Sequence, residues 1–165
     1  LPDANMAWRN DFRWRNFNFG FMVSARLGGV VFSRTQSMLD YYGVSEATAA
    51  ARDAGGVMIN GNDLVDANKW YTAIGGGNSV PQYYTYSATN VRLQEASIGY
   101  TIPKKTLGDI CEITLSLVGR NLWMIYNKAP FDHETIATTG NYYQGVDYFM
   151  SPSMRNIGFN LRVKF

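Results

Sequence analysis

Amphipathic stretches in this chain are joined by connections that alternate between very short and very long, and that alternation constrains the fold more than any motif does. Apolar and polar side chains take turns along residues 8–15, 17–26, 90–102, 110–121 and 154–165, the period of two of a strand facing two environments. Arg15-Asn16 makes a tight turn between the first pair. Pro103, then Lys104-Lys105-Thr106-Leu107-Gly108-Asp109, makes a short basic turn between the second. Residues 27–89 and 122–153 are long connections. In an up-and-down antiparallel sheet successive connections lie at opposite ends, so both short turns fall at one end and both long loops at the other.

The strands carry a consistent chemistry. In the second, Phe17, Phe19, Phe21, Val23 and Ala25 alternate with Asn18, Gly20, Met22, Ser24 and Arg26. In the last, Ile157, Phe159, Leu161, Val163 and Phe165 alternate with Asn156, Gly158, Asn160, Arg162 and Lys164. The fourth sets Ile113, Leu115 and Leu117 against Glu112, Thr114 and Ser116. In the third, Val91 and Leu93 are out of phase with Ala96, Ile98, Tyr100 and Ile102, which predicts a bulge near Gln94-Glu95. Soluble sheets favour Val, Ile and Leu on the buried face; a Phe-rich face suits lipid or an interfacial aromatic girdle.

The long connection at 27–89 is broken by Gly28-Gly29, Gly43, Gly55-Gly56, Gly61 and Gly75-Gly76-Gly77. Two short helices fit between them. Ser33 caps one that Gly43 closes, and Ser45 caps another that carries Glu46 in its first turn and stops at Gly55. Neither is long enough to found a core. Connections in compact domains run to about four to six residues, so a loop of about sixty argues against an ordinary soluble fold.

Composition agrees. Aromatics are 15% of the 165 residues, while charged residues are 17%, below the roughly 25% usual for soluble domains. A net charge of +2 with both signs interspersed recommends no nucleic acid, and one cysteine, Cys111, excludes an internal disulfide framework. No apolar run reaches the ~20 residues of a spanning helix, but a spanning strand needs only about 9–11. The alternating pattern of short turns and long loops is that of an outer-membrane barrel, with periplasmic turns and extracellular loops. Five strands are too few to close one, since about eight is the working minimum. The chain opens on Leu1 and not on Met, and we read it as a fragment or processed piece of something larger.

Against this background NFNFGFMVSARLGG, NVRLQEASIGYTIPKK, LSLVGRNLWMI and GVDYFMSPSMRNIGFNLRVKF resemble, in order and over nearly the whole chain, the C-terminal segment of SusC/RagA-type TonB-dependent outer-membrane transporters of the Bacteroidetes. The resemblance implies an all-β fold, the C-terminal strands of a large transmembrane barrel with long extracellular loops containing short helices. It implies TonB-dependent import of a glycan, oligosaccharide or peptide. Its implied partners are a SusD-like surface lipoprotein, the TonB complex, the barrel-assembly machinery and outer-membrane lipid, with no cofactor and no catalytic activity. Phe159, Leu161, Val163 and Phe165 would then form the strand that the assembly machinery reads. Alternatives are a secreted carbohydrate-binding β-sandwich, which predicts two packed sheets, and a passive porin.

Ligand-contact candidates are the aromatics of the long connections, Trp70, Tyr71, Tyr83, Tyr84, Trp123, Tyr142 and Tyr143. They could stack on sugar rings or simply pack the loops, and packing is the commoner fate of such residues. Arg26 and Arg120 fall on lumen-facing phases, where arginines ordinarily pair with neighbouring carboxylates. Asp132-His133-Glu134 places ligand types side by side, a poor arrangement for one metal, so no zinc site is expected, and a calcium contact through Asp132 or Glu134 with carbonyls is the alternative. Gly75-Gly76-Gly77 lacks the lysine of a phosphate loop.

Overall fold

The structure is a computed structural model that describes residues 1–134 and 143–165. It divides into two compact units: Leu1–Gly29 with Ala88–Pro130 and Ser153–Phe165, and Val30–Ser87 with Phe131–Pro152.

The first unit is one antiparallel sheet of five strands, β1 (Ala4–Trp14), β2 (Phe17–Leu27), β7 (Asn90–Ile102), β8 (Glu112–Asn127) and β10 (Asn156–Lys164), in the order β1-β2-β7-β8-β10. The sheet is open, and among the described residues no closed barrel forms, as expected when the strands are fewer than closure requires. Trp14 pairs with Phe17 across a two-residue turn in which Arg15 adopts φ 52°, its guanidinium 5.5 Å from the Trp14 ring. The β7–β8 turn is a single 3-10 turn, Lys104–Leu107, closed by Gly108 at φ 68°.

Register makes the two faces explicit. One row across all five strands reads Phe12, Phe19, Ile98, Leu117, Phe159, and another reads Trp14, Phe17, Tyr100, Leu115, Leu161. On the opposite face the corresponding rows read Arg13, Asn18, Gly99, Ser116, Asn160 and Asp11, Gly20, Ser97, Val118, Gly158. Both apolar rows are open: Phe12 is 56% exposed, Leu117 53% and Phe159 84%.

The phase change in the third strand is a bulge. Met22 pairs with Glu95 and Val23 with Leu93, which leaves Gln94 as the extra residue and returns Val91 and Leu93 to the apolar face. A matching irregularity in β8 sets Leu93 opposite Trp123 and Glu95 opposite Arg120, with Asn121 at φ 53°. The distortion is stapled. Nη1 of Arg92, a residue only 1% exposed, donates to Asn121 Oδ1 at 2.6 Å and Ser153 Oγ at 3.1 Å, and Asn121 Nδ2 donates to Ser153 Oγ at 2.7 Å.

In the second unit the long connections are folded, not merely looped. Between β2 and β7 come β3 (Val30–Ser33), α1 (Arg34–Tyr41), α2 (Glu46–Asp53), β4 (Val57–Ile59), β5 (Asp63–Val65), α3 (Ala67–Ile74), α4 (Pro81–Tyr84) and β6 (Thr85–Ser87). The second connection contributes β9 (Val146–Asp147), which lies parallel to β3 in a small β6-β3-β9 sheet. Ser33 and Ser45 cap α1 and α2 through Gln36 N and Thr48 N, each at 3.1 Å. Neither short helix founds a core by itself, yet a core is present: Val31, Ala67, Ile74 and Tyr84 are buried here together with Ser33, Ser37, Thr48, His133 and Asp147. Several short elements share one interior where no single helix could. Gly75 and Gly76 make that packing close. A Cβ on Gly75 would stand 2.8 Å from the Ser37 and Tyr71 carbonyl oxygens, and Gly76, at φ 79°, donates its N–H to the Ser37 carbonyl and accepts from Ser37 Oγ, each at 3.1 Å.

Candidate functional site

The expected aromatic candidates separate in the structure. Trp70 and Tyr71 lie on α3, and Tyr83 and Tyr84 on α4. Trp70 and Tyr83 meet edge to face with ring centroids 5.7 Å apart, leaving Tyr83 half exposed. Tyr84 is 1% exposed and offers no face to a ligand. Tyr143 is exposed, and Tyr142 lies outside the described residues. Trp123 belongs to β8, which runs on to Asn127, six residues past the expected end of that strand; register with Leu93 puts it on the apolar face.

The two arginines lie on the polar face and are engaged. Arg26 Nε donates to Asn5 Oδ1 at 3.4 Å, and Arg120 Nε pairs with Glu95 Oε2 at 3.1 Å. Arg9 and Asp11 form a second ion pair on the same face at 2.9 Å. Phe159, Leu161, Val163 and Phe165 all stand exposed on or just beyond β10.

Tyr71 does join a concave site. A cavity of about 250 Å³ opens between α1, α2 and α3, lined by Asp40, Tyr41, Tyr42, Arg52, Asn68 and Tyr71 among others. Asp40 is buried beside it and accepts from Gln36 Nε2 at 2.8 Å. Burial, and after it the nearby Asp40 charge, push the Tyr71, Tyr84 and Tyr86 phenols up from their ordinary range. Arg52 Nη1 donates to the Gly43 carbonyl at 2.8 Å, which holds the guanidinium at the cavity wall.

Sequence reasoning missed Asp40, Tyr41, Tyr42 and Arg52, because α3, which completes the cavity, was not foreseen. Its signal was present: Asp66 caps α3, accepting from Lys69 N at 3.1 Å. His133 is a core residue, 2% exposed, with Nε2 3.0 Å from the Ser87 carbonyl oxygen.

The chain is similar to TonB-dependent receptor P3 of Formosa agariphila, 25% identical over 172 residues that cover 99% of this chain and 16% of that protein. No protein-family profile matches the chain. The chain therefore spans less than a fifth of the length of the curated relative it matches. The likeness supports a place among the TonB-dependent receptors, and the predominance of strands is in keeping with it.

Proposed function

We propose that the chain is the C-terminal barrel segment of a SusC/RagA-type TonB-dependent transporter, importing a glycan, oligosaccharide or peptide across the outer membrane. The observation that carries this reading is the set of cross-strand rows, aromatic and aliphatic over all five strands on one face and, but for Val118, polar or glycine on the other. An apolar face this extensive costs free energy in water, at about 25 cal/mol per Å² of apolar surface, and costs none against hydrocarbon. The polar face then lines the lumen, with Arg26 and Arg120 among its charges, and the folded connections stand on the outer side. Both edge strands of the sheet need backbone partners within a membrane, which further strands of a larger barrel supply.

In this reading the protein works with a SusD-like surface lipoprotein and, through the N-terminal part that such transporters carry, with TonB. Its closing strand, from Phe159 to Phe165, is the segment engaged by the assembly machinery. The experiment is intact mass and membrane fractionation of the native gene product. A product of large-barrel size in the outer membrane, extracted only by detergent, is the expected result. A water-soluble product of about this chain's length overturns the proposal.

A further inference from the structure

Asp40 is placed where physical chemistry discourages a carboxylate. It is 5% exposed, it lies in the last turn of α1 at the negative end of the helix dipole, and among the described residues no ion pair includes it. Its carboxylate accepts from the neutral amide of Gln36, and the neutral Tyr84 phenol lies against it, so neither neighbour brings a positive charge. A buried charge in such a position calls for a cation.

The space for one is adjacent. The cavity beside Asp40 is lined by Tyr41, Tyr42 and Tyr71, aromatic residues of the kind that attract positive charge, and by Arg52 and Asn68. Tyr41 and Tyr42 are themselves packed edge to face, centroids 5.2 Å apart, which fixes their orientation. Its volume lies just below the roughly 300–1,000 Å³ of pockets for drug-sized ligands, so its occupant is about one ring or one amino-acid residue in size.

We propose that this cavity binds the primary ammonium group of a small organic ligand, with Asp40 as counter-ion, the three tyrosines as walls, and Arg52 and Asn68 available to an acceptor group on the same molecule. A bare divalent cation is a poor match: calcium takes about six to eight oxygen ligands, and the cavity brings a single carboxylate. A neutral polyol is also a poorer match, because it would leave the Asp40 charge uncompensated. The inference concerns the helical unit alone and stands whether or not the sheet belongs to a transporter.

The test is isothermal titration calorimetry on the purified full-length protein in detergent, with two matched pairs of probes: glucosamine against glucose, and leucine amide against N-acetyl-leucine amide. Within at least one pair the ammonium form should bind about tenfold more tightly than its neutral partner. Asp40→Asn should erase that preference with an unchanged thermal melt. Tyr42→Ala, at an exposed ring that carries no core packing, should weaken the ammonium form severalfold and serves as the deciding variant should Asp40→Asn fail to fold. Equal affinity within both pairs, absence of binding by all four probes, a preference that survives Asp40→Asn in the folded protein, or, where that variant fails to fold, one unchanged by Tyr42→Ala would overturn the proposal.

Discussion

The sheet and the helical unit solve opposite problems with the same chain. In the sheet the large apolar side chains Trp8, Phe12, Trp14, Phe19, Leu117 and Phe159 are all exposed, and the buried residues are glycine or polar, such as Gly20, Gly119, Asn90 and Arg92. In the helical unit Val31, Ala67, Ile74 and Tyr84 are turned inward, around hydrogen-bonded Ser33, Ser37 and Asp147. The sheet takes its order from backbone pairing and leaves a face of large apolar side chains uncovered, whereas the helical unit carries its own interior. Connections that would ordinarily be the least ordered part of a chain thus hold the conventional core.

The largest effect should come from charging the outer face. Phe19→Arg places a cation in the middle of an apolar row and should cost about 2–4 kcal/mol near a bilayer midplane. Asn18→Arg, one residue away on the polar face, should cost far less. Urea titration of the protein refolded into vesicles measures both, and equal losses would break the assignment of faces. Next comes Arg92→Met, which deprives Asn121 and Ser153 of a charged donor and should cost about 2 kcal/mol in the same assay. Hydrogen exchange at the β8 irregularity should rise while the helical unit is unchanged.

Ser33→Ala tests the other region. It removes the cap of α1 and the hydrogen bond to Asp147 Oδ2 at 3.0 Å, and should cost about 1–2 kcal/mol. Exchange should accelerate in α1 and in the β3–β9 pair, with none in the five-stranded sheet. A loss of protection shared equally by both regions would refute the claim that the helical unit has its own core.

Much of the sheet was legible because its rule is local. A period of two along 157–165 and 17–25 places each side chain on a face without any knowledge of its partner strand, and the phase slip around Gln94 announces the bulge. The caps at Ser33 and Ser45 were legible for the same reason. The interior of the helical unit was not. Val30–Ser33 pairs with Val146–Asp147 across more than a hundred residues, through segments too short to carry a periodic signal. The candidate site suffered most, since exposure decides function there. Tyr83 and Tyr84 are neighbours of identical chemistry, yet one is half exposed and the other buried, and the cavity needs α1, α2 and α3 together.

The smallest expected effect separates the regions by pH. Burial and the Asp40 charge raise the Tyr84 phenol, with Tyr71 and Tyr86 raised for the same two reasons. Unfolded tyrosine loses its proton near pH 10, so below that value these phenols are neutral in both states and pH does not affect their contribution. Above about pH 10 the unfolded chain releases protons that the folded unit retains, and the unit's stability falls as pH rises through the raised folded-state values. Tyr84→Phe should therefore flatten the alkaline decline of the helical unit, followed by hydrogen exchange, while the sheet's response is unaltered. Tyrosinate absorbance should show a late fraction in the parent protein that shrinks in the variant. If all the tyrosines ionise in one transition near pH 10, the phenols beside Asp40 are not buried as described, and the contrast between a core inside the connections and an open face on the strands loses its support.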